Sequence, residues 1–329
     1  MNSILKTGFA AMIGAMLISG SAFAETVTLQ LGHTLPPTHI HSQALEKFAA
    51  NVDEMSNGEI KIELYPAEQL GGARDQIEAI SRGGQDMGYD GAGVISQFYP
   101  KISVLDMPFM FSDYDELEKV FYGPVGQELT AELLEKNGLR LLAISYYGAR
   151  QVSSNKIIDS VDDFKGLKIR TPQVKEWVSS FKALDASPTP IAFGEVYFSL
   201  QTNVVDAQEN PLSTIDAYKF YEVQDFITMT NHQVGANYII INDKKWKMLD
   251  PAQQDILLSA ARQSMEAVTK QVKQADDELI ETLKNKGVEF VIPSDEFKAE
   301  IKAKVQAVYP QYESKWGKGT VEKIRDTLN

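Results

Sequence analysis

Two arginines stand where a rigid element would hold them and where a partner must receive them. Arg150, in Gly148-Ala149-Arg150-Gln151, follows an apolar strand pattern. Arg170, in Leu167-Lys168-Ile169-Arg170-Thr171-Pro172, comes just before the proline that stops its strand. A guanidinium offers a planar fork that matches a carboxylate through two parallel hydrogen bonds. A strand-end arginine can equally pair with an Asp or Glu of its own chain, so ligand binding and structural pairing both stand open for this pair. Nucleophilic chemistry has less to work with. The chain has no Cys, and its four histidines, His33, His39, His41 and His232, sit in no Gly-x-Ser-x-Gly context. His39 and His41 lie two apart without a metal-ligand spacing, which favours exposed loop histidines over a zinc site. Gly71-Gly72 and Gly91-x-Gly93 lack the further glycines of a phosphate loop. No catalytic residue, metal ligand or cofactor is assigned.

The elements that must position these arginines alternate in type. Val27, Leu29 and Leu31 read as a strand ending near His33, and Leu45, Phe48, Val52 and Met55 recur at helical spacing up to Asn57-Gly58. A strand at Ile60–Leu64, a helix at Arg74–Arg82 and a strand at Met87–Tyr89 complete β-α-β-α-β, the pattern of parallel strands with right-handed crossovers. A second set follows: strands at Leu139–Tyr147 and Leu167–Arg170, a helix at Val174–Leu184, an extended piece at Pro188–Pro190, a helix at Glu195–Gln201 and a strand at Val204–Ala207. Two α/β units imply two lobes. Open α/β sheets bind ligands beyond the carboxyl ends of their strands, which singles out His33, Asp90, Arg150, Arg170 and Asn210. Asp250-Pro251-Ala252-Gln253 is a strong helix start, and its apolar stripe continues to Gly287. At about 1.5 Å per residue that helix exceeds roughly 50 Å, long enough to cross both lobes. The expected division is residues 25–147 plus about 236–276 for the first lobe, and 148–235 plus about 277–329 for the second.

Bulk properties narrow the setting. Lys6, the apolar run Gly8–Ile18 and Ala22-Phe23-Ala24 form a cleavable secretion signal of residues 1–24, cut after Ala24. An apolar run of eleven residues falls short of the roughly 20 that span a bilayer, so the mature protein is expected in the periplasm without a membrane anchor. The net charge of −13 and the lack of a basic stripe argue against nucleic acid as a partner. A mature chain of 305 residues is at the size where one core divides into two.

A longer series of motifs then bears on function. Asp185-Ala186-Ser187-Pro188-Thr189-Pro190-Ile191-Ala192-Phe193-Gly194-Glu195-Val196-Tyr197, Leu200-Gln201-Thr202 and Val205-Asp206-Ala207-Gln208-Glu209-Asn210-Pro211 resemble the solute receptors of tripartite ATP-independent periplasmic (TRAP) transporters, the DctP-like family. Tyr65-Pro66, Gln69-Leu70-Gly71, Met107-Pro108-Phe109, Lys219-Phe220-Tyr221-Glu222-Val223 and Asn231-His232 fit the same family in the same order. The resemblance implies a two-lobed periplasmic binding protein fold, a cleft that closes on ligand and a long lobe-spanning helix. It also implies a small-molecule carboxylate as ligand and the transporter's membrane subunits as partner, with no reaction catalysed.

Residue by residue, the resemblance implies that Arg170 grips the ligand carboxylate, Arg150 assists and Asn210 hydrogen-bonds the ligand. It further makes Phe193 and Trp177 aromatic walls. The local wording is closest to sialic acid receptors, yet Thr34, Ala73, Gly91 and Val94 depart from their polar first-lobe pattern. His33 is similar to the dicarboxylate receptors and Trp177 to the uronate receptors. The acid therefore stays open among a uronate or aldonate, which is favoured, a C4-dicarboxylate and sialic acid. Asp90 bears on that choice: facing the pocket, its carboxylate would repel a second ligand carboxylate and accept hydrogen bonds from hydroxyls. Readings of another class are a periplasmic enzyme and a sensory receptor on the same fold.

Overall fold

The structure, a computed structural model, describes residues 26–329. The expected secretion signal lies outside the described residues. The first alternation folds as read. Strand β1 (Val27–Gly32) pairs in parallel with β2 (Ile60–Tyr65) and with β3 (Met87–Gly91), linked through helices Ile40–Met55 and Ala73–Arg82. Leu29 and Leu31 are buried, and the turn after the first helix passes through Asn57 and Gly58, both at positive φ.

Beyond this point the strands run longer than the residue pattern suggests. Strand β4 covers Leu139–Ser154, so it continues past the expected stop at Tyr147. Then come β5 (Lys168–Thr171), β6 (Ser187–Pro190), β7 (Ala207–Pro211), β8 (Phe226–Asn242) and β9 (Glu289–Val291). One nine-stranded sheet results, in the order β2-β1-β3-β8-β4-β7-β5-β6, with β9 beside β8. Two of these strands escaped the pattern for identifiable reasons. In β8, Tyr238 and Ile240 enter one core while Ile239 and Ile241 enter another, so a run buried on both faces shows no alternation. The strand expected at Val204–Ala207 instead begins at Ala207, because its buried members Gln208, Glu209 and Asn210 are polar.

β4 and β8 are antiparallel partners along almost their whole length, and each changes its outer neighbour halfway. β3 flanks β8 from Asn237 to Ile241, whereas β9 flanks it from Phe226 to Thr228; β7 flanks β4 only from Arg150 to Ser154. The β4–β8 register slips at Leu141/Ala143, Tyr146/Gly148 and Arg150/Val152. Such bulges bend a strand without ending it. At the middle slip Gly148 (φ 120°) faces Gly235. A Cβ on Gly235 would come 2.8 Å from the Gly148 carbonyl oxygen, and one on Gly148 would come 2.7 Å from Pro211 Cβ.

Each half has its own cores, and the long helix joins them. Helix Pro251–Asn285 starts with the expected capping box of Asp250 and Gln253. Leu257, Ala261, Met265 and Val268 pack with Leu29, Leu45, Phe48 and Ile239 in the first half. Leu283 packs with Leu200, Ile215, Phe220 and Ile227 in the second. Midway, the Tyr146 N–H donates to Thr269 Oγ1 at 3.0 Å, so the helix satisfies a backbone group beside the central bulge. The C-terminal segment departs from the expected division. Phe297, Ile301 and Val305 pack with Ile169 and Phe181 in the second half, but Val308, Tyr309, Tyr312, Trp316 and Ile324 return to the core holding Leu105 and Leu117 in the first. Trp316 Nε1 donates to Ser103 Oγ at 2.8 Å there. Helical spacing shows which side of a helix is apolar, not which of two cores receives it.

The facing glycines generate a prediction. Gly235→Ala sets a methyl group against a backbone oxygen that cannot swing aside, and is expected to destabilise the fold by about 1–3 kcal/mol. The surface control Gly84→Ala, whose Cβ would meet nothing nearer than 3.7 Å, should change stability by less than about 0.5 kcal/mol. Urea denaturation of both variants reads the difference, and equal midpoints would remove the special role given to the Gly148–Gly235 pair.

Candidate functional site

A cleft of about 390 Å³ lies between the halves beside the bend in β4 and β8, within the size range of small-molecule sites. Asp90, Arg150, Arg170, Trp177, Phe193 and Asn210 all line it. The chain thus brings together six of the seven residues expected to meet a ligand.

Arg170 sits at the carboxyl end of β5, only 3% exposed. Its Nε and Nη2 donate to the Ile191 carbonyl at 3.0 and 2.8 Å, and the guanidinium lies 5.5 Å from the Phe193 ring centre. A guanidinium has five N–H donors, and among the described residues the other three have no hydrogen-bond partner. No carboxylate of the described residues lies within ion-pair distance of it. Burial pulls its pKa down to about 9, partly opposed by Glu209, so it remains charged at neutral pH. An uncompensated buried charge is costly, and a bound anion removes that cost.

Arg150 differs. Its Nε and Nη2 donate to the two Glu209 carboxylate oxygens at 2.5 and 3.0 Å, and Nη2 also reaches the Glu209 carbonyl at 2.7 Å. The ladder explains the pair: Arg150 is opposite Pro211 and Val152 opposite Glu209, so the two side chains are diagonal neighbours across β4 and β7. Trp177 covers the guanidinium at 4.5 Å, and His232 Nε2 lies 3.2 Å from Glu209 Oε2. Burial would raise the Glu209 pKa, but Arg150 and His232 outweigh it and hold the carboxyl below its ordinary value. One edge of the Arg150 fork is thus taken by Glu209, which leaves its other edge for the expected assistance in gripping a ligand. Beside it, the Asn210 amide donates to Gln208 Oε1 at 2.6 Å, and Gln208 donates to Ser153 Oγ at 2.8 Å. This chain fixes how Asn210 is turned.

The facing wall is acidic. Asp90 accepts the Gly91 N–H at 2.7 Å and has no cation within ion-pair distance among the described residues. Burial pushes its pKa up to about 7, with Glu68 adding to the rise and the Gly91 N–H opposing it. Asp106 also lines the cleft, and accepts from Trp177 Nε1 at 3.1 Å and Gln233 Nε2 at 2.8 Å. Burial raises it to about 7 as well, against the pull of Arg150. Phe193 stands half-buried at the opposite side, edge-on to Tyr218 with ring centres 4.6 Å apart.

Comparison with known proteins settles the family. The profile of bacterial extracellular solute-binding proteins, family 7 (DctP), matches residues 31–315. The chain belongs to the DctP family. It is 35% identical over 321 residues to the sialic acid-binding periplasmic protein SiaP of Vibrio cholerae, covering 97% of this chain and 99% of that one. Among solved structures, it resembles a TRAP periplasmic solute-binding protein from Haemophilus influenzae with bound L-gulonate. The TM-score is 0.86 at 30% identity, over 92% of this chain and 100% of that one. It also resembles the sugar acid binding protein DctPAm from Advenella mimigardefordensis in complex with galactonate, with a TM-score of 0.88 at 30% identity, over 92% and 98% of the two chains. The fold is the two-lobed one of TRAP solute receptors, and no described helix is long and apolar enough to cross a membrane.

For a DctP-family receptor, three residues stand differently from the expectation. His33 does not line the cleft: it is 2% exposed, both ring nitrogens lack partners among the described residues, and burial lowers its pKa to about 4. A neutral ring at pH 7 cannot balance a ligand anion. His39 and His41 are buried rather than exposed in a loop. His39 caps helix Ile40–Met55 by accepting the His41 N–H at 3.2 Å, and His41 Nδ1 lies 2.7 Å from the Tyr89 hydroxyl. Asp106, Glu209 and His232 were missed as a set. An acid closing the apolar run Ile102–Leu105 is a visible anomaly, but its partners lie far along the chain.

Arg170→Ala in this receptor is expected to lose about 2–5 kcal/mol of ligand affinity while keeping its circular dichroism spectrum and melting profile. Glu209→Gln should show the reverse emphasis. Uncoupling a buried ion pair costs about 3 kcal/mol or more of stability, read by urea denaturation. Near-normal calorimetric affinity in folded Arg170→Ala would end the assignment of Arg170 as the anion site.

Proposed function

We propose that this TRAP receptor binds a hydroxylated monocarboxylic acid, an aldonate or uronate, in the periplasm and delivers it to the transporter's membrane subunits. In this reading the ligand carboxylate lies on the free edge of Arg170, Asn210 supplies an amide contact, and Phe193 and Trp177 cover the carbon chain. The observation that carries it is the pair of uncompensated ions facing one cleft: a buried cation, Arg170, and an acid, Asp90, without a cation of its own. One end of such a site takes an anion and the other takes hydrogen-bond donors. A second ligand carboxylate near Asp90 would meet like charge. The sugar acids bound to the Haemophilus and Advenella proteins have this chemistry. The likeness to a sialic acid receptor supports it less, because Ala73, Gly91 and Val94 themselves bring no polar side-chain group to the cleft for that larger sugar. Export through cleavage after Ala24 belongs to the same proposal.

The test is a competition titration of L-gulonate, D-galactonate and succinate at two pH values. At pH 8 Asp90, with its pKa near 7, is ionised, and a sugar acid should outcompete succinate. At pH 6 it is largely protonated, so the repulsion of a second carboxylate falls and the affinity for succinate relative to the sugar acid should rise. Asp90→Asn should move that ratio toward its low-pH value and leave only the weaker pH dependence that Asp106, raised to about 7 in the same cleft, contributes. Clear preference for succinate at pH 8 would overturn the sugar-acid reading.

A further inference from the structure

A strained loop on the first lobe places a carboxylate against a backbone turn of the second. Ala67 and Glu68, which follow β2, both adopt left-handed backbone, with φ of 51° and 61°. Side chains with a Cβ disfavour that region, so two such residues in succession need support from their surroundings. Support is present: the Ala67 N–H donates to the Leu35 carbonyl at 2.9 Å and the Glu68 N–H to the His33 carbonyl at 3.2 Å. The consequence is the placement of the Glu68 side chain, which lines the cleft and reaches Gly194 in the Phe193–Glu195 turn. An added Cβ on Gly194 would lie 2.5 Å from Glu68 Oε2 and 3.5 Å from Oε1. Burial raises the Glu68 pKa, and the Gly194 backbone N–H is the contact that opposes the rise.

We infer that Glu68 is a clasp across the mouth of the cleft, its carboxylate accepting the Gly194 N–H when the lobes are closed over a ligand. Three features fit this role together. Gly194 is not in left-handed backbone, so it gains nothing conformationally from being glycine; what its bare Cα leaves is room for Glu68. The turn it belongs to carries Phe193, the ring beneath Arg170, so the clasp holds the aromatic wall against the anion site. Tyr218, edge-on to Phe193, donates to the Thr34 carbonyl of the first lobe at 2.6 Å and braces the same turn from its other side. The clasp contributes only in the closed state, so it slows ligand escape and leaves ligand entry almost unchanged.

The experiment measures association and dissociation rates by stopped-flow fluorescence. It uses whichever of L-gulonate, D-galactonate or succinate binds the wild type most tightly, so that a dicarboxylate winning that comparison would sink the sugar-acid reading without deciding this one. Glu68→Ala should dissociate about fivefold faster, the value of one partly exposed hydrogen bond to a charged acceptor, with association within about twofold. Glu68→Gln, which keeps an acceptor oxygen, should fall between. Gly194→Ala, which fills the seat, should match Glu68→Ala, and the double variant should be no faster than either single one. Unchanged dissociation in Glu68→Ala, or additive effects in the double variant, would overturn the clasp.

Discussion

The fold depends on one constraint: β4 and β8 run unbroken through both lobes, so the sheet must bend without ending between them. Bulges make this possible, and their sterics restrict the central one to glycine. Gly148 and Gly235 face each other where a side chain on either would strike the neighbouring strand or Pro211. The long helix reinforces the same place, taking up the Tyr146 N–H through Thr269. The cleft is a consequence, since a continuous sheet bent across its strands leaves its two halves facing one another.

Charge is handled differently on the two arginines that the bend brings together. Arg150 is neutralised inside the protein by Glu209, which His232 also contacts, and it is covered by Trp177. Arg170 is held by a carbonyl alone and keeps most of its donors free. Buried side by side without Glu209, the two cations would repel each other at short range in a medium that screens poorly. Pairing one of them lets the other remain bare, rigid and aimed at the cleft. A preorganised cation of this kind loses little freedom when an anion arrives, which is the usual source of tight binding at small sites.

The polar strand β7 connects these ideas. Gln208, Glu209 and Asn210 are all buried, and each has a partner: Ser153 for Gln208, Arg150 for Glu209, and Gln208 for Asn210. Buried polar chains are tolerable only when satisfied, and a satisfied one is stiff. That stiffness holds Asn210 in one orientation beside the two arginines.

Much of this was legible in residue order. The β1–β3 alternation, the strand end at Arg170, the capping box at Asp250 and the motif series that marks the DctP family are local patterns, and local patterns are what periodicity and turn chemistry record; Arg150, read as a strand end, lies inside β4. What only the tertiary structure decided is which groups meet. Glu209 takes Arg150 because an antiparallel ladder sets them on the diagonal, fifty-nine residues apart in the chain. His33 stands at a strand end as the pattern says, yet its ring is buried away from the cleft, because strand position fixes a Cα and not the direction of a side chain. The segment after Val305 returns to the first lobe because Trp316 finds its partner at Ser103. Residue spacing carries the repeat of one element, whereas pairing between elements is settled by packing across the whole chain.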